Sequence, residues 1–200
     1  MKTRLSLTAG LAGALALTPG LALAHTGVGD AHGFVHGFMH PVGGLDHVLA
    51  MVAVGIFAWQ LGGRALWAVP VTFVAVMAAG GLLGVAGIAL PFVELAIALS
   101  VVVLGAAVAI GLRAPLGVAM GLAGFFALFH GYAHGAEMPV DASGLAYGAG
   151  FMLATALLHL AGLVAGMLIG RLADTRGSVV VRVAGGAMSV AGLAIVAGTL

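Results

Sequence analysis

Histidine and carboxylate side chains occur together in two short stretches, and each stretch lies at the edge of a long apolar run. The stretches are HPVGGLDHVLAM at residues 40–51 and FHGYAHGAE at residues 129–137. Their candidate metal ligands are His40, Asp46, His47, His130, His134 and Glu137. Neutral imidazole and carboxylate without thiolate suit borderline first-row divalent ions such as nickel, cobalt, zinc, copper and iron. The chemistry that these residues indicate is therefore the binding of a divalent transition metal ion.

The second stretch has helical spacing. His130 and His134 are four residues apart and Glu137 follows three residues later, so on a helix all three share one face. Gly135 is a candidate end for that helix. Two other roles stay open, because the histidines would also serve as hydrogen-bonding links between helices and Glu137 as an ordinary loop charge.

The first stretch combines a helix start with a hinge. Asp46 and His47 are adjacent at the start of the apolar run, and His40 precedes a glycine pair at residues 43–44 that lets it fold back over the helix mouth. A metal ion would offset the desolvation of a carboxylate held beside hydrocarbon. The alternatives are that Asp46 caps the helix, worth about 0.3–1 kcal/mol, and that His47 is an interfacial polar residue.

Four further residues are weaker candidates as metal ligands or relay sites: His25, His36, His159 and Glu94. His25 and His36, together with His32, form either a metal-collecting arm or a flexible tail. His159 lies deep within an apolar run, where a hydrogen bond between helices is an equal alternative. Glu94 starts another apolar run and has a surface carboxylate as its alternative role.

The composition defines the class of protein that must position these residues. Hydrophobic residues make up 62% of the 200-residue chain and charged residues 6%, with a mean hydropathy of +1.24. Soluble domains carry about 25% charged residues, so we predict an all-α integral membrane protein. The net charge of +1 and the lack of a basic patch argue against nucleic acid. The absence of cysteine excludes disulfides and thiolate metal sites.

Six runs are candidates for spans of about 20 apolar residues. They are residues 45–61, 66–90, 92–112, 116–129, 145–172 and 179–200. The short fourth run is open to extension through His134. We therefore predict a single compact bundle of six transmembrane helices over residues 25–200, in contact with the lipid bilayer.

The first 24 residues have the pattern of a cleavable signal peptide. Lys2 and Arg4 precede the apolar run LSLTAGLAGALAL, which is followed by Pro19 and by an alanine-rich site that ends at Ala24. The alternative is a retained first transmembrane helix. Cleavage after Ala24 would make His25 the first mature residue, with a free amine as a further metal donor.

The basic residues predict the orientation. If the mature N-terminus lies outside, every arginine of the mature chain falls in an inside loop, as the positive-inside rule expects. These residues are Arg64, Arg113, Arg171, Arg176 and Arg182. We therefore predict a multi-pass protein of the bacterial inner membrane with both mature termini in the periplasm and both histidine stretches on the periplasmic side.

Glycines recur at four-residue spacing inside the predicted spans. The sets are Gly80 with Gly84, Gly117 with Gly121, and Gly162 with Gly166 and Gly170. Small residues at this spacing let helices approach closely in lipid. They predict tight helix packing without a wide aqueous pore.

The two histidine stretches also resemble the HupE/UreJ family of nickel/cobalt permeases. HPVGGLDHVLAM matches the family pattern H-P-x-x-G-x-D-H, and FHGYAHGAE matches F-H-G-x-A-H-G-x-E. The signal peptide, the length and the six spans agree with the family as well. The resemblance implies nickel or cobalt uptake that supplies hydrogenase or urease maturation, with the six residues of the two stretches as the implicated positions.

The leading hypothesis is a permease, not an enzyme, that captures nickel or cobalt as a transported substrate and carries no permanently bound cofactor. No nucleotide-binding motif occurs, so the chain itself does not hydrolyse ATP. His159 is the candidate inner waypoint. The alternatives are an intramembrane metal-dependent hydrolase and a haem-binding membrane protein. We leave a homo-oligomer open as an alternative to a monomer.

Overall fold

A computed structural model describes residues 30–138, 143–172 and 177–198, and the regular structure in these ranges is entirely helical. In chain order the helices are α1 (Asp30–Gly43), α2 (Leu45–Leu61), α3 (Ala65–Val85), α4 (Val93–Ile110), α5 (Leu116–Ala136), α6 (Gly144–Leu172) and α7 (Gly177–Val196). The predicted signal peptide and His25 lie outside the described residues.

The helices have the length and apolarity of membrane spans. Within the described ranges α3 to α7 each qualify alone, and α1 with α2 qualifies as a pair bent by 82°. That gives five spans, or six if the bent pair counts as one. The prediction of an all-α membrane protein with about six spans is confirmed.

Helix α1 was not anticipated as an element of the bundle. Residues 30–43 form a helix, so the flexible-tail alternative is wrong for His36. The helix packs along α6, where the glycine faces of both helices bring their backbones together: a Cβ at Gly37 would overlap Tyr147, and one at Gly150 would overlap Phe34. Its sequence contains no long apolar run, which is why hydropathy alone did not reveal it.

Two span boundaries differ from the prediction by five residues or more. Helix α5 continues to Ala136 rather than ending at residue 129 or at Gly135, so both histidines of the second stretch are helical. Helix α3 ends at Val85, five residues before the predicted end. Gly87 then adopts a left-handed conformation with φ 68°, and the residue before Pro91 is restricted against helix.

Helices α3 and α5 pack closely against each other. A Cβ at Gly80 or Gly84 would overlap the backbone of α5, and a Cβ at Gly131 or Gly135 would overlap the backbone of α3. Each of these glycines therefore has to lack a side chain for the helices to meet. The predicted role of Gly80 and Gly84 in packing is confirmed.

The other glycine sets have mixed outcomes. Gly162 packs against the backbone of Val52, and Gly166 and Gly170 pack against the indole of Trp59, as expected for tight packing. The prediction for Gly117 and Gly121 is wrong, because a Cβ at either position would meet no described atom within 4 Å. Spacing alone does not tell which side of a helix faces a neighbour.

The chain alternates between the two ends of the bundle from α2 onward. Helices α2, α4 and α6 therefore begin at the same end at which α3 and α5 finish. This is the histidine end, which carries His40, Asp46, His47, His130, His134 and Glu137. The opposite end carries Arg64, Arg113 and Arg171.

The α3–α5 contact gives a stability prediction. Replacing Gly131 by alanine places a methyl group on the carbonyl of Met77, so the helices have to separate. Overpacking of this kind costs about 1–3 kcal/mol, and we expect a lower midpoint of thermal unfolding in detergent.

Gly121→Ala is the matched control, since it is the same change on the same helix with open space around the new methyl group. We expect it to leave the midpoint unchanged or slightly raised. Equal midpoints for the two variants would contradict the packing assigned to Gly131.

Candidate metal site

Four histidine rings from three helices meet at the histidine end. The ring centre of His47 on α2 lies 4.7 Å from that of His130 and 4.8 Å from that of His134, both on α5. The ring centre of His40 on α1 lies 4.8 Å from that of His134. Stretches separated by about eighty residues in sequence thus form one continuous cluster.

Asp46 orients His47. Oδ1 of Asp46 accepts a hydrogen bond from the backbone N–H of His47 at 2.7 Å and lies 2.8 Å from its Nδ1. Because a carboxylate only accepts, Nδ1 carries the proton and Nε2 carries the free lone pair. Nε2 is buried and has no hydrogen-bond partner among the described residues. Asp46 thus serves both the first turn of α2 and the ring of His47.

The glycine pair at the start of α2 makes this arrangement possible. Gly44 is the N-cap residue in extended conformation, with φ −98° and ψ 121°. A Cβ there would lie 2.8 Å from Oδ1 of Asp46 and 3.0 Å from Nδ1 of His47. Gly44 therefore leaves room for the carboxylate and the ring to meet beside the bend between α1 and α2.

His40 and Glu137 form the outer part of the cluster. Nε2 of His40 lies 3.0 Å from Oε2 of Glu137, and the side chains are 27% and 54% exposed. Glu137 is the C-cap residue of α5, so this pair joins the end of α5 to α1. The contact with His40 makes Glu137 part of the cluster rather than an isolated loop charge.

His130 and His134 form the inner part. Both are fully buried, and His130 Nδ1 and both ring nitrogens of His134 have no hydrogen-bond partner among the described residues. The ring of His134 stacks on Phe151, with centres 5.0 Å apart. The alternative role for these two histidines was to link helices by hydrogen bonds. Of their four ring nitrogens, only Nε2 of His130 makes such a bond to a described residue.

Three residues beside the cluster were missed from the sequence. Ser100 on α4 lies 2.9 Å from Nε2 of His130. Tyr147 on α6 is buried between the rings of His36 and His40, and its hydroxyl has no partner among the described residues. Phe73 on α3 packs on His130. Of these three, only Ser100 stands out in the sequence, because it is the one hydroxyl residue of α4.

The distances between neighbouring histidine rings would allow two rings to bind the same ion, although the rings do not already surround a common point. Two imidazoles that bind one ion at about 2.0–2.1 Å and at an angle near 90° hold their ring centres about 4.6 Å apart. The observed 4.7–4.8 Å is close to that value. Among the described residues, however, no three His, Asp or Glu side chains already surround a common point. Binding would require small rotations of the rings.

The weaker candidates lie around or away from the cluster. His36 is exposed, and its ring centre is 6.3 Å from that of His40. Glu94 is exposed in the first turn of α4 and has no hydrogen bond or ion pair with another described residue. His159 on α6 is 1% exposed, deeper in the bundle. His25 lies outside the described residues.

His159 has a distinctive environment. Its ring centre is 5.0 Å from that of Phe73, which also packs on His130. Both ring nitrogens of His159 have no hydrogen-bond partner among the described residues. The ring borders an open groove of about 470 Å³ that is otherwise apolar. Hydrogen bonding between helices, the alternative role for this residue, is therefore not observed.

Most of the chain is similar to known proteins. A family model described as HupE / UreJ protein matches residues 13–195. A protein named Protein HupE from Rhizobium leguminosarum bv. viciae is 51% identical over 186 residues, which is 92% of this chain and 94% of that protein. No solved structure gives a significant match.

The contact between Asp46 and His47 gives a prediction for metal affinity. Loss of a carboxylate that orients a ligating histidine lowers metal affinity by about 10- to 100-fold. We expect this loss of Ni²⁺ affinity in Asp46→Ala, measured by calorimetry on the full chain in detergent. Asp46→Asn keeps an oxygen acceptor for the ring, so we expect a smaller loss.

Ser189→Ala is the control, because it also removes a polar group inside the bundle. Among the described residues, the hydroxyl of Ser189 bonds the carbonyl of Val102 and no histidine. Unchanged affinity in Asp46→Ala would refute the role of this carboxylate. Equal losses in the two Asp46 variants would show that its charge, rather than its hydrogen bond to His47, controls binding.

Proposed function

Since the chain belongs to the HupE/UreJ family of metal transporters, we propose that it is a permease that takes up nickel, or cobalt, across the bacterial inner membrane. The ion is captured at the histidine end of the bundle, which faces the periplasm. The imported nickel supplies hydrogenase or urease maturation. Transport requires no permanently bound cofactor.

One observation carries this proposal. Two stretches far apart in sequence bring four imidazoles and two carboxylates to the same end of the bundle, and buried nitrogens of three of the rings have no partner among the described residues. A buried polar group left without a hydrogen bond costs about 1–3 kcal/mol. A chain that tolerates several of these at one place has a use for their lone pairs, and a divalent ion would use them.

The arrangement suggests an order of contacts from the surface inward. The side chains of Glu137 and His40 are more exposed than those of Asp46 and His47, so they meet a hydrated ion first. His134 adjoins both His40 and His47 and passes the ion on between them. His130 lies one helical turn deeper than His134, about 6 Å along α5. The carboxylates replace part of the hydration shell while the ion is still near water.

His159 is the proposed inner waypoint. Phe73 packs between His130 and His159, with ring centres 5.7 Å and 5.0 Å away. The aromatic ring separates two imidazoles that have free nitrogens, so movement of Phe73 would connect them. A lone imidazole binds an ion more weakly than a cluster does, which favours onward release.

The membrane potential is a sufficient driving force for a divalent cation. Moving one charge through 100 mV is worth about 2.3 kcal/mol, so an ion of charge two gains about 4.6 kcal/mol. That energy corresponds to an accumulation of about two-thousandfold. A proton gradient or trapping of the ion inside the cell remain the alternatives.

The two other hypotheses from the sequence are not favoured. Membership of a family of transporters argues against a hydrolase. A haem with two axial histidines separates their ring centres by about 6 Å, since each iron–nitrogen bond is about 2 Å long. Neighbouring histidine rings from different helices lie at 4.7–4.8 Å here, which leaves no room for a haem plane between them. The rings of His36 and His40 are 6.3 Å apart but belong to the same helix.

Uptake of radioactive nickel in bacterial cells tests the transport function. We expect His47→Ala and His130→Ala to reduce the initial rate at least tenfold, because each variant removes an imidazole with a free buried nitrogen. Gly121→Ala is the control for expression and insertion, since it alters neither packing nor the cluster. Measurements with cobalt, zinc and copper in parallel establish which ion is preferred.

Two outcomes would contradict the proposal. Wild-type uptake no higher than in cells without the protein, for every ion, would remove the transport function itself. Full uptake by both histidine variants at equal expression would leave transport intact and show that the ion takes another route.

Single cysteines test the orientation, because the native chain has none. Ser143 lies at the histidine end and Arg64 at the opposite end. We expect a membrane-impermeant thiol reagent added from the periplasmic side to label Ser143→Cys but not Arg64→Cys in intact inner membranes. The reverse pattern would place the histidine end in the cytoplasm and contradict uptake from that end.

A further inference from the structure

The hydroxyl of Ser100 contacts the deepest histidine of the cluster. Oγ of Ser100 lies 2.9 Å from Nε2 of His130, and both residues are fully buried. Ser100 belongs to α4, whereas His130 belongs to α5. The contact thus brings a third spanning helix to the cluster, beside α2 and α5.

The direction of this hydrogen bond follows from the surroundings of Ser100. A hydroxyl has one proton to donate. Oγ of Ser100 lies 2.6 Å from the carbonyl oxygen of Ile97, one turn earlier on α4, and a carbonyl only accepts. The serine proton is therefore directed to Ile97. In the contact with His130, the ring has to donate from Nε2.

This direction selects the tautomer of His130. A neutral imidazole that carries its proton on Nε2 has its lone pair on Nδ1. Nδ1 of His130 is buried and has no hydrogen-bond partner among the described residues. The ring centre is 4.7 Å from that of His47. Each of these two adjacent imidazoles therefore has one nitrogen held by a supporting oxygen and the other nitrogen free.

We propose that Ser100 is a positioning residue of the metal site, which holds His130 by its Nε2–H so that Nδ1 binds the ion. The proposal rests on the proposed function, because it assigns a role to Ser100 in the same site. Asp46 supports His47 and Ser100 supports His130, and the two supports differ in charge. A carboxylate strengthens the ligand more than a neutral hydroxyl does, so His130 is the weaker and deeper of the two ligands.

The test measures Ni²⁺ affinity of the full chain in detergent by calorimetry. Replacing Ser100 by alanine removes only an oxygen, so the fold is preserved, but His130 loses its acceptor. We expect an affinity at least tenfold lower, and we expect Ser100→Thr, which keeps the hydroxyl, to recover most of the loss. Ser189→Ala is the matched control, since that serine also bonds a helix carbonyl and has no hydrogen bond to any histidine that the structure describes.

A double-mutant cycle separates positioning from a general effect on structure. If Ser100 acts through His130, Ser100→Ala has no further effect on affinity when His130 is already alanine. Nitrogen NMR with labelled histidine adds a readout that does not depend on metal. We expect a hydrogen-bonded, exchange-protected Nε2–H for His130 in the wild type that is lost in Ser100→Ala and retained in Ser189→Ala.

The outcomes distinguish this proposal from the proposed function. Tight Ni²⁺ binding and uptake by the wild type, with unchanged affinity in Ser100→Ala, would overturn the role of Ser100 alone. An equal loss from Ser100→Ala with and without His130 would do the same. A wild type that neither binds nor transports any divalent ion would overturn both proposals, whatever the NMR spectrum shows.

Discussion

The close approach of α3 and α5 determines where the buried histidines are placed. Gly131 and Gly135 let the backbone of α5 lie directly on α3, and each follows a histidine. Successive residues on a helix are separated by about 100°, so the glycines that face α3 turn His130 toward α2 and α4. They turn His134 toward α1, α2 and α6. The repeated His-Gly pair is therefore one structural unit. The glycine fixes the rotation of α5 against α3, and this rotation determines which neighbouring helices the histidine faces.

Polar groups inside a bilayer have to find partners within the protein, and the cluster satisfies this rule only in part. The carboxylate of Asp46 and the hydroxyl of Ser100 each hold one ring nitrogen. His134 has no such support and contacts the rings of His40 and His47 instead. The proposed ligands thus include two rings held by a hydrogen bond and one, His134, held only by the rings packed against it. This difference would suit transfer, because a site in which hydrogen bonds held every ring would bind the ion and retain it.

The sequence predicted the membrane class, most span positions and the two stretches that meet at one end. These follow from hydropathy and motif spacing, which are local properties. It did not predict α1, whose residues become helical by packing on α6, nor the open surroundings of Gly117 and Gly121. Ser100 was also missed, because an isolated serine in an apolar run acquires its meaning only from the histidine on the neighbouring helix.

The charges along the chain indicate why entry and passage need different ligands. Asp46 and Glu137 lie at the histidine end, and no Asp or Glu occurs in the chain between His130 and the start of that helix, or between His159 and the end of α6. On the proposed route, an ion that moves inward would therefore exchange anionic ligands for neutral imidazoles. The ion would bind more weakly at each inward step, while its electrical energy would become more favourable as it crosses the membrane potential. Tight capture at the surface and weaker contact in the interior would both follow from this one change in ligand charge along the proposed route.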